Sequence, residues 1–270
     1  MSIKLVYLVI FLTSVIELFG ESLYLNSPEP KNRFAFAFQK QQQETLSSKK
    51  ETTNAFAQLE KTIGNSVSLY AILPYTRVQQ SGEGLKEHLN NQQIGLKVFL
   101  PIVGDLIFVS GFSYFFATGK ENLGIGSEKF GKVEFYGGLF VRKGSWGIFS
   151  VARWSSQVTP HLWERAGEQF EKTWYFDVWI SYTNTKKSFE AILEMSRVIR
   201  YDPEKENLYS TVVAPGFLIH LESISLGLSV PITVTASRTY LPDGTLADLK
   251  PTFVREDFDR SFLAKAFQYF

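Results

Sequence analysis

The chain has 270 residues and not one cysteine. That excludes a disulfide scaffold, thiolate-ligated zinc, iron–sulfur clusters, thiol catalysis and a lipid anchor on an N-terminal cysteine. Charge of one sign is also missing, because 28 Lys plus Arg stand against 27 Asp plus Glu. Without a basic run there is no electrostatic footprint for nucleic acid. A mean hydropathy of −0.05 leaves no room for a bundle of membrane helices. What the chain has instead is rings. Aromatics make up 15% of it, and 24 of its residues are Phe.

Residues 1–20 read as a secretory signal. Lys4 precedes an apolar stretch from Leu5 to Ile16, and small residues follow at Gly20 and Ser22. The apolar part is shorter than the ~20 residues a spanning helix needs. A buried N-terminal helix is the alternative. Residues 21–31 are expected to form an N-terminal periplasmic segment, and 32–270 a single barrel.

Beyond residue 30 the pattern alternates with period two, as half-buried strands do. Phe34, Phe36 and Phe38 share one face of RFAFAFQK, with Arg33 and Gln39 opposite. Trp174, Phe176, Val178, Ile180 and Tyr182 likewise oppose Thr173, Asp177 and Ser181. About twelve strands are expected, at 32–41, 54–62, 66–79, 91–101, 106–117, 132–142, 146–156, 171–183, 187–199, 208–220, 223–238 and 259–270. The breaks alternate strictly. Tight ones fall at Ile63–Asn65, Ile102–Asp105, Lys143–Ser145, Asn184–Lys186 and Leu221–Glu222, and carry turn formers. Long polar ones fall at 42–53, 80–90, 118–131, 157–170, 200–207 and 239–258.

A soluble sandwich would use shorter strands and no such alternation, and a soluble up-and-down barrel would use mostly short loops. Long strands, short turns at one rim and long loops at the other describe an all-β, transmembrane, up-and-down antiparallel barrel. Only a helix or a closed sheet satisfies every backbone polar group in hydrocarbon. The lipid-facing set is then Phe34, Phe36, Leu69, Leu96, Val98, Phe135, Leu139, Phe176, Ile180, Leu193, Leu226 and Val230. Tyr75, Tyr114, Phe116, Trp146, Trp154, Trp174, Tyr182, Tyr209, Tyr240 and Tyr269 mark the interfaces. The final strand ends on Phe270, which reads as a signal to the barrel-assembly machinery of a Gram-negative-type outer membrane.

Several segments together resemble the outer-membrane channel family named for the meta pathway of phenol degradation. They are SLYAILPYTRV (Ser68–Val78), GLKVFLPIVGDLIF (Gly95–Phe108), FFATGKENLGIG (Phe115–Gly126), VVAPGFLIHL (Val212–Leu221) and LGLSVPITV (Leu226–Val234). The resemblance covers roughly 30–270, with Ala117 where the family often has Pro. It implies an outer-membrane barrel that passes small molecules.

If the apolar face meets lipid, polar residues point to an enclosed centre. The expected lumen set is Arg33, Lys97, Glu134, Arg142, Arg153, Asp177, Glu190, Glu194 and Lys265. Opposite charges there either pair and stiffen a narrow bore or form a constriction that selects solutes. Three His (His88, His161, His220) are too scattered for a metal site, and no catalytic or cofactor-binding residue stands out. A rim hydrolase on Ser155, Ser156 and His161 is the weakest alternative. A surface barrel with a plugged lumen is the stronger one. The leading expectation is passive passage of small, hydrophobic or aromatic solutes through the outer membrane, with outer-membrane lipid as the surrounding partner.

Overall fold

The computed structural model describes residues 30–44, 49–123, 125–158, 172–201, 208–236 and 260–270. The signal segment, most of 21–31, His161, Tyr240 and the gaps at 200–207 and 239–258 lie wholly or largely outside the described residues. Strands follow the alternation of the chain: β1 (Arg33–Glu44), β2 (Lys49–Ile63), β3 (Val67–Gln80), β4 (Lys86–Leu89) and β5 (Gln93–Val103). Next come β6 (Leu106–Phe115), β7 (Gly131–Lys143), β8 (Trp146–Val158), β9 (Lys172–Thr183) and β10 (Phe189–Tyr201). The last are β11 (Leu208–Leu221), β12 (Ile224–Ser229), β13 (Ile232–Ala236) and β14 (Arg260–Tyr269). Neighbours pair antiparallel in chain order, and β14 pairs with β1 from Arg33↔Tyr269 to Gln42↔Arg260. The sheet closes on itself, so neither terminal strand leaves an edge to recruit another chain.

Among the described residues these fourteen segments form twelve staves. Both β4 and β5 pair with β3, as one stave with Asn90–Gln92 between them. The break lies beside Pro74, which has no N–H to give, and three residues oppose two, the count of a bulge. The stave expected at 223–238 is likewise split into β12 and β13 around Val230–Pro231. Here the cause is Pro231 itself.

Other departures also have causes. Strand is found inside the expected gap at 42–53, since β1 runs to Glu44 and β2 begins at Lys49. Above the apolar belt both faces of the strand carry polar side chains, so hydrophobic alternation is lost although pairing continues from Arg33↔Glu60 to Glu44↔Lys49. The gap at 80–90 holds β4. Tight turns stand where expected, with Gly64, Gly104 and Gly144 at φ of 67°, 55° and 61°, a region that favours glycine. All five short connections share one rim with residues 30–32 and Phe270.

The outward face is apolar over a belt. Phe34, Phe36, Phe38, Leu69, Leu73, Phe135, Phe176 and Leu226 are all exposed there. On β1 the belt ends at Lys40, which pairs with Glu51 at 3.0 Å, and Glu51 also holds Lys49 at 3.2 Å. Their hydrogen bonds, first that of Lys40, hold the Glu51 carboxyl below its ordinary range. Such a network belongs in water, so it marks the upper limit of the hydrocarbon. Phe36→Arg, in mid-belt, is expected to cost about 2–4 kcal/mol. Guanidinium unfolding of the refolded barrel checks this, and an unchanged midpoint would remove the lipid-facing assignment.

Candidate functional site: the barrel interior

Pleat geometry sends every second residue inward, and the interior so formed has three zones. Near the long-loop rim, on the side of β14, β1, β2 and β3, it is neutral and polar. Gln39 donates to Ser261 at 3.0 Å, Asn54 to Gln41 at 3.2 Å, Thr76 to Asn54 at 2.9 Å and Asn90 to Thr76 at 3.1 Å. This ladder of amides and hydroxyls ties β14, β1, β2, β3 and the Asn90 break together around the inner wall.

The second zone is charged. All nine residues of the expected lumen set point inward, and eight of them are buried. Arg142, the ninth, is part-buried and donates to Thr183 at 3.0 Å. Two clusters organise most of the rest. In the first, Glu60 accepts from Arg33 Nε at 3.0 Å, Lys97 Nζ at 2.8 Å, Ser68 Oγ at 2.7 Å and Gln58 at 3.2 Å. Arg33, Glu60 and Lys97 are 1%, 0% and 2% exposed. In the second, Asp177 accepts from Arg153 Nε at 2.5 Å and Ser196 Oγ at 2.6 Å. Glu134 stands 3.5 Å from Arg153 and 3.9 Å from Lys132. Glu190, Glu194 and Lys265 lie outside these clusters, the first two fully buried.

Sequence reasoning missed Glu60, although it is the hub. Its signal was its phase: it alternates with Gln58 and Asn54 on the inward face of β2. Lys132 was missed as well, at the end of β7.

The third zone corrects the expectation of a wholly hydrophilic centre. Phe99, Ile107, Val109, Phe140, Phe149 and Trp179 are buried inside, at the inward positions of β5–β9 nearest the short turns. Ala35, Ala37, Leu263 and Phe267 join them from β1 and β14. Phe140, Phe149 and Trp179 form a three-ring cluster with centroids 5.9–6.5 Å apart. A narrow barrel encloses a core of its own, so rings serve on both faces. Tyr269 is a second correction, because it faces inward and packs on the buried apolar core as a whole rather than marking an interface.

Charge and ring meet directly in this interior. Arg153 lies over the Tyr175 ring at 4.2 Å, Lys97 over Tyr70 at 5.2 Å, Lys132 over Phe115 at 4.6 Å, and Lys265 over Phe267 at 5.0 Å. Desolvated contacts of this kind are worth about 2 kcal/mol or more. Backbone sets two of the ring positions. Gly95 and Gly111 lie so close to Tyr70 and Tyr136 that a Cβ at either would collide with the ring.

The residues offered for a rim hydrolase do not converge. Ser155 points inward and Ser156 outward on β8, and His161 lies outside the described residues. His88 Nδ1 lies 2.6 Å from the Leu89 carbonyl oxygen. Among the described residues no group of three His, Asp or Glu could hold a metal ion.

No family model matches the sequence, and no curated protein matches it. Solved structures do. An outer membrane channel from Pseudomonas putida F1 has a TM-score of 0.69 at 10% identity, over 92% of this chain and 98% of that one. The NanC porin gives 0.53 at 9% identity, over 87% and 99%. The translocator domain of the autotransporter NalP from Neisseria meningitidis gives 0.52 at 9%, over 96% and 92%. At these identities the likeness is one of fold, and the chain is a twelve-stranded β-barrel of the outer-membrane type.

Proposed function

We propose that this barrel is a passive outer-membrane channel for small solutes, with hydrophobic and aromatic ones preferred. The observation that carries the preference is the set of inward cations stacked on inward rings, Arg153 on Tyr175 above all. A solute ring can take the place of a protein ring beneath such a cation at little cost. The apolar zone of Phe140, Phe149 and Trp179 supplies the matching surface. Folds shared with a channel and a porin support passage, and the resemblance to the meta-pathway channels supports the solute class. Buried charges and rings on the inner wall take up space in a twelve-stave barrel, which speaks against a wide general porin.

Planar-bilayer recording of the refolded protein is the direct test. Discrete conductance steps are expected, and liposomes should release phenol faster than a sugar of similar size. A second reading, a surface barrel with a plugged lumen, draws on the burial of the same inward residues. No conductance and no flux would select it and end the channel proposal.

Phe270 belongs to the same reading. Its N–H donates to the Asn32 carbonyl at 3.2 Å, where β14 meets the start of β1. As the assembly signal, it follows directly on the strand whose pairing with β1 closes the sheet.

A further inference from the structure

The short-turn end of the barrel holds a cavity of about 710 Å³ whose lining includes Arg142, Thr183, Lys187, Glu190, His220 and Ser225. Glu190 is its unusual member. Its side chain is fully buried, and neither carboxylate oxygen accepts a hydrogen bond from any described residue. Glu60, equally buried, shows the contrast, since side-chain donors from Arg33, Gln58, Ser68 and Lys97 converge on it. The neighbour of Glu190 is His220, with Nε2 at 3.4 Å from Oε2 and Nδ1 at 2.8 Å from Ser225 Oγ. If Nδ1 donates to Ser225, the Nε2 lone pair faces the carboxylate and two acceptors lack a shared proton. If Nε2 carries a proton, in the other tautomer or the imidazolium, Oε1 still has no donor among the described residues. A buried acceptor in that state costs free energy until a donor reaches it.

Opposite charge stands close by. Thr183, the cross-strand partner of Glu190, accepts from the Arg142 guanidinium. The neighbour of Arg142 on β8 is Gly147, which has no side chain to block that reach. One threonine is therefore flanked by a carboxylate and a guanidinium. Lys31 and Glu222 also line the cavity. A plain cation entering it would meet Lys31, Arg142 and Lys187, and a plain anion would meet Glu190 and Glu222. A molecule with an ammonium at one point and a carboxylate at another meets complementary charge at both. Leu221, Tyr269 and Phe270 add apolar wall.

We propose that this cavity binds a small zwitterionic amino-carboxylate with an apolar side chain, its ammonium on Glu190 and its carboxylate towards Arg142 and Lys187. The inference deepens the channel reading and rests on it for access from the short-turn side. The ammonium brings three donors, enough for both Glu190 oxygens and a neutral His220 Nε2.

Titration of the full-length refolded protein in detergent micelles tests it, with binding read by calorimetry. The probes are L-phenylalanine, 3-phenylpropionate (no ammonium) and phenethylamine (no carboxylate). Phenylalanine is expected to bind at least about tenfold more tightly than either truncated probe, a difference of ~1.4 kcal/mol. Glu190→Gln and Arg142→Gln should each weaken phenylalanine by a similar factor, with heat-modifiable gel migration reporting a closed barrel. The probe series on the unmodified protein stands even if a variant fails to fold. Equal binding of 3-phenylpropionate, unchanged affinity in Glu190→Gln, or no binding of phenylalanine overturns the proposal. Conductance of the same preparation separates the two readings. A conducting barrel that ignores phenylalanine overturns this site alone, and a silent one that binds it overturns the channel alone.

Discussion

Replacing Glu60 by alanine is expected to destabilise the barrel by about 3–5 kcal/mol, the range for breaking a buried ion cluster from one side. The change removes the carboxylate on which Arg33 and Lys97, each almost wholly buried, converge. It also frees Ser68 Oγ and Gln58 Nε2, whose hydrogen bonds end on the same carboxylate. Glu60→Gln should lose less, because the amide oxygen still accepts. A triple replacement of Arg33, Glu60 and Lys97 by apolar residues of similar volume should fall near the parent, since desolvation of all three charges is then avoided. Guanidinium unfolding followed by tryptophan fluorescence orders the series. A Glu60→Ala barrel within ~1 kcal/mol of the parent would mean water reaches the cluster and screens it. The same result would argue for a wider bore than the packing implies.

The second large effect is expected at Trp179. Its ring packs against both Phe140 and Phe149 inside the barrel, 5.9 and 6.2 Å away by centroid. Its indole N–H has no hydrogen-bond partner among the described residues, so the side chain is held by packing alone. Trp179→Ala should cost about 3–5 kcal/mol, as burial losses of that size do. If the three rings narrow the path, single-channel conductance should rise severalfold in the same variant. The preference for phenol over a sugar should shrink with it. Phe149→Ala serves as the smaller step in the same direction. Lost stability with unchanged conductance would leave the rings a structural role and move the constriction to the charged zone.

These two sites differ in how much of them a reader of the chain could see. Trp179 falls on the inward phase of KTWYFDVWISY beside Asp177, so its direction was legible. Its role was not, because a ring on either face of a strand looks the same until the opposite wall is known. Glu60 shows the converse. Its strand lies in a stretch where polar residues occupy both faces, and alternation is faint there. What gives it importance is convergence: Arg33 and Lys97 come from β1 and β5, which neither the order nor the spacing of residues brings together. Glu190 and Arg142 meet around Thr183 for the same reason, across β7, β9 and β10.

Period-two alternation, turn formers at regular intervals and the strict exchange of short and long breaks are local properties, carried by neighbouring residues. They were enough to determine a closed antiparallel barrel of twelve staves, its rims, and the inward phase of Arg33, Lys97, Glu134, Arg153, Asp177, Glu190, Glu194 and Lys265. Prolines 74 and 231 were visible too, but that each would break a stave depended on the strand beside it. Only the tertiary structure decided which charges pair, that the lumen keeps an apolar core, and that Glu190 lies buried without a donor among the described residues. Those outcomes depend on stagger between strands and on the width of the closed sheet. They belong to pairs of residues far apart in the chain, and short-range pattern does not encode them.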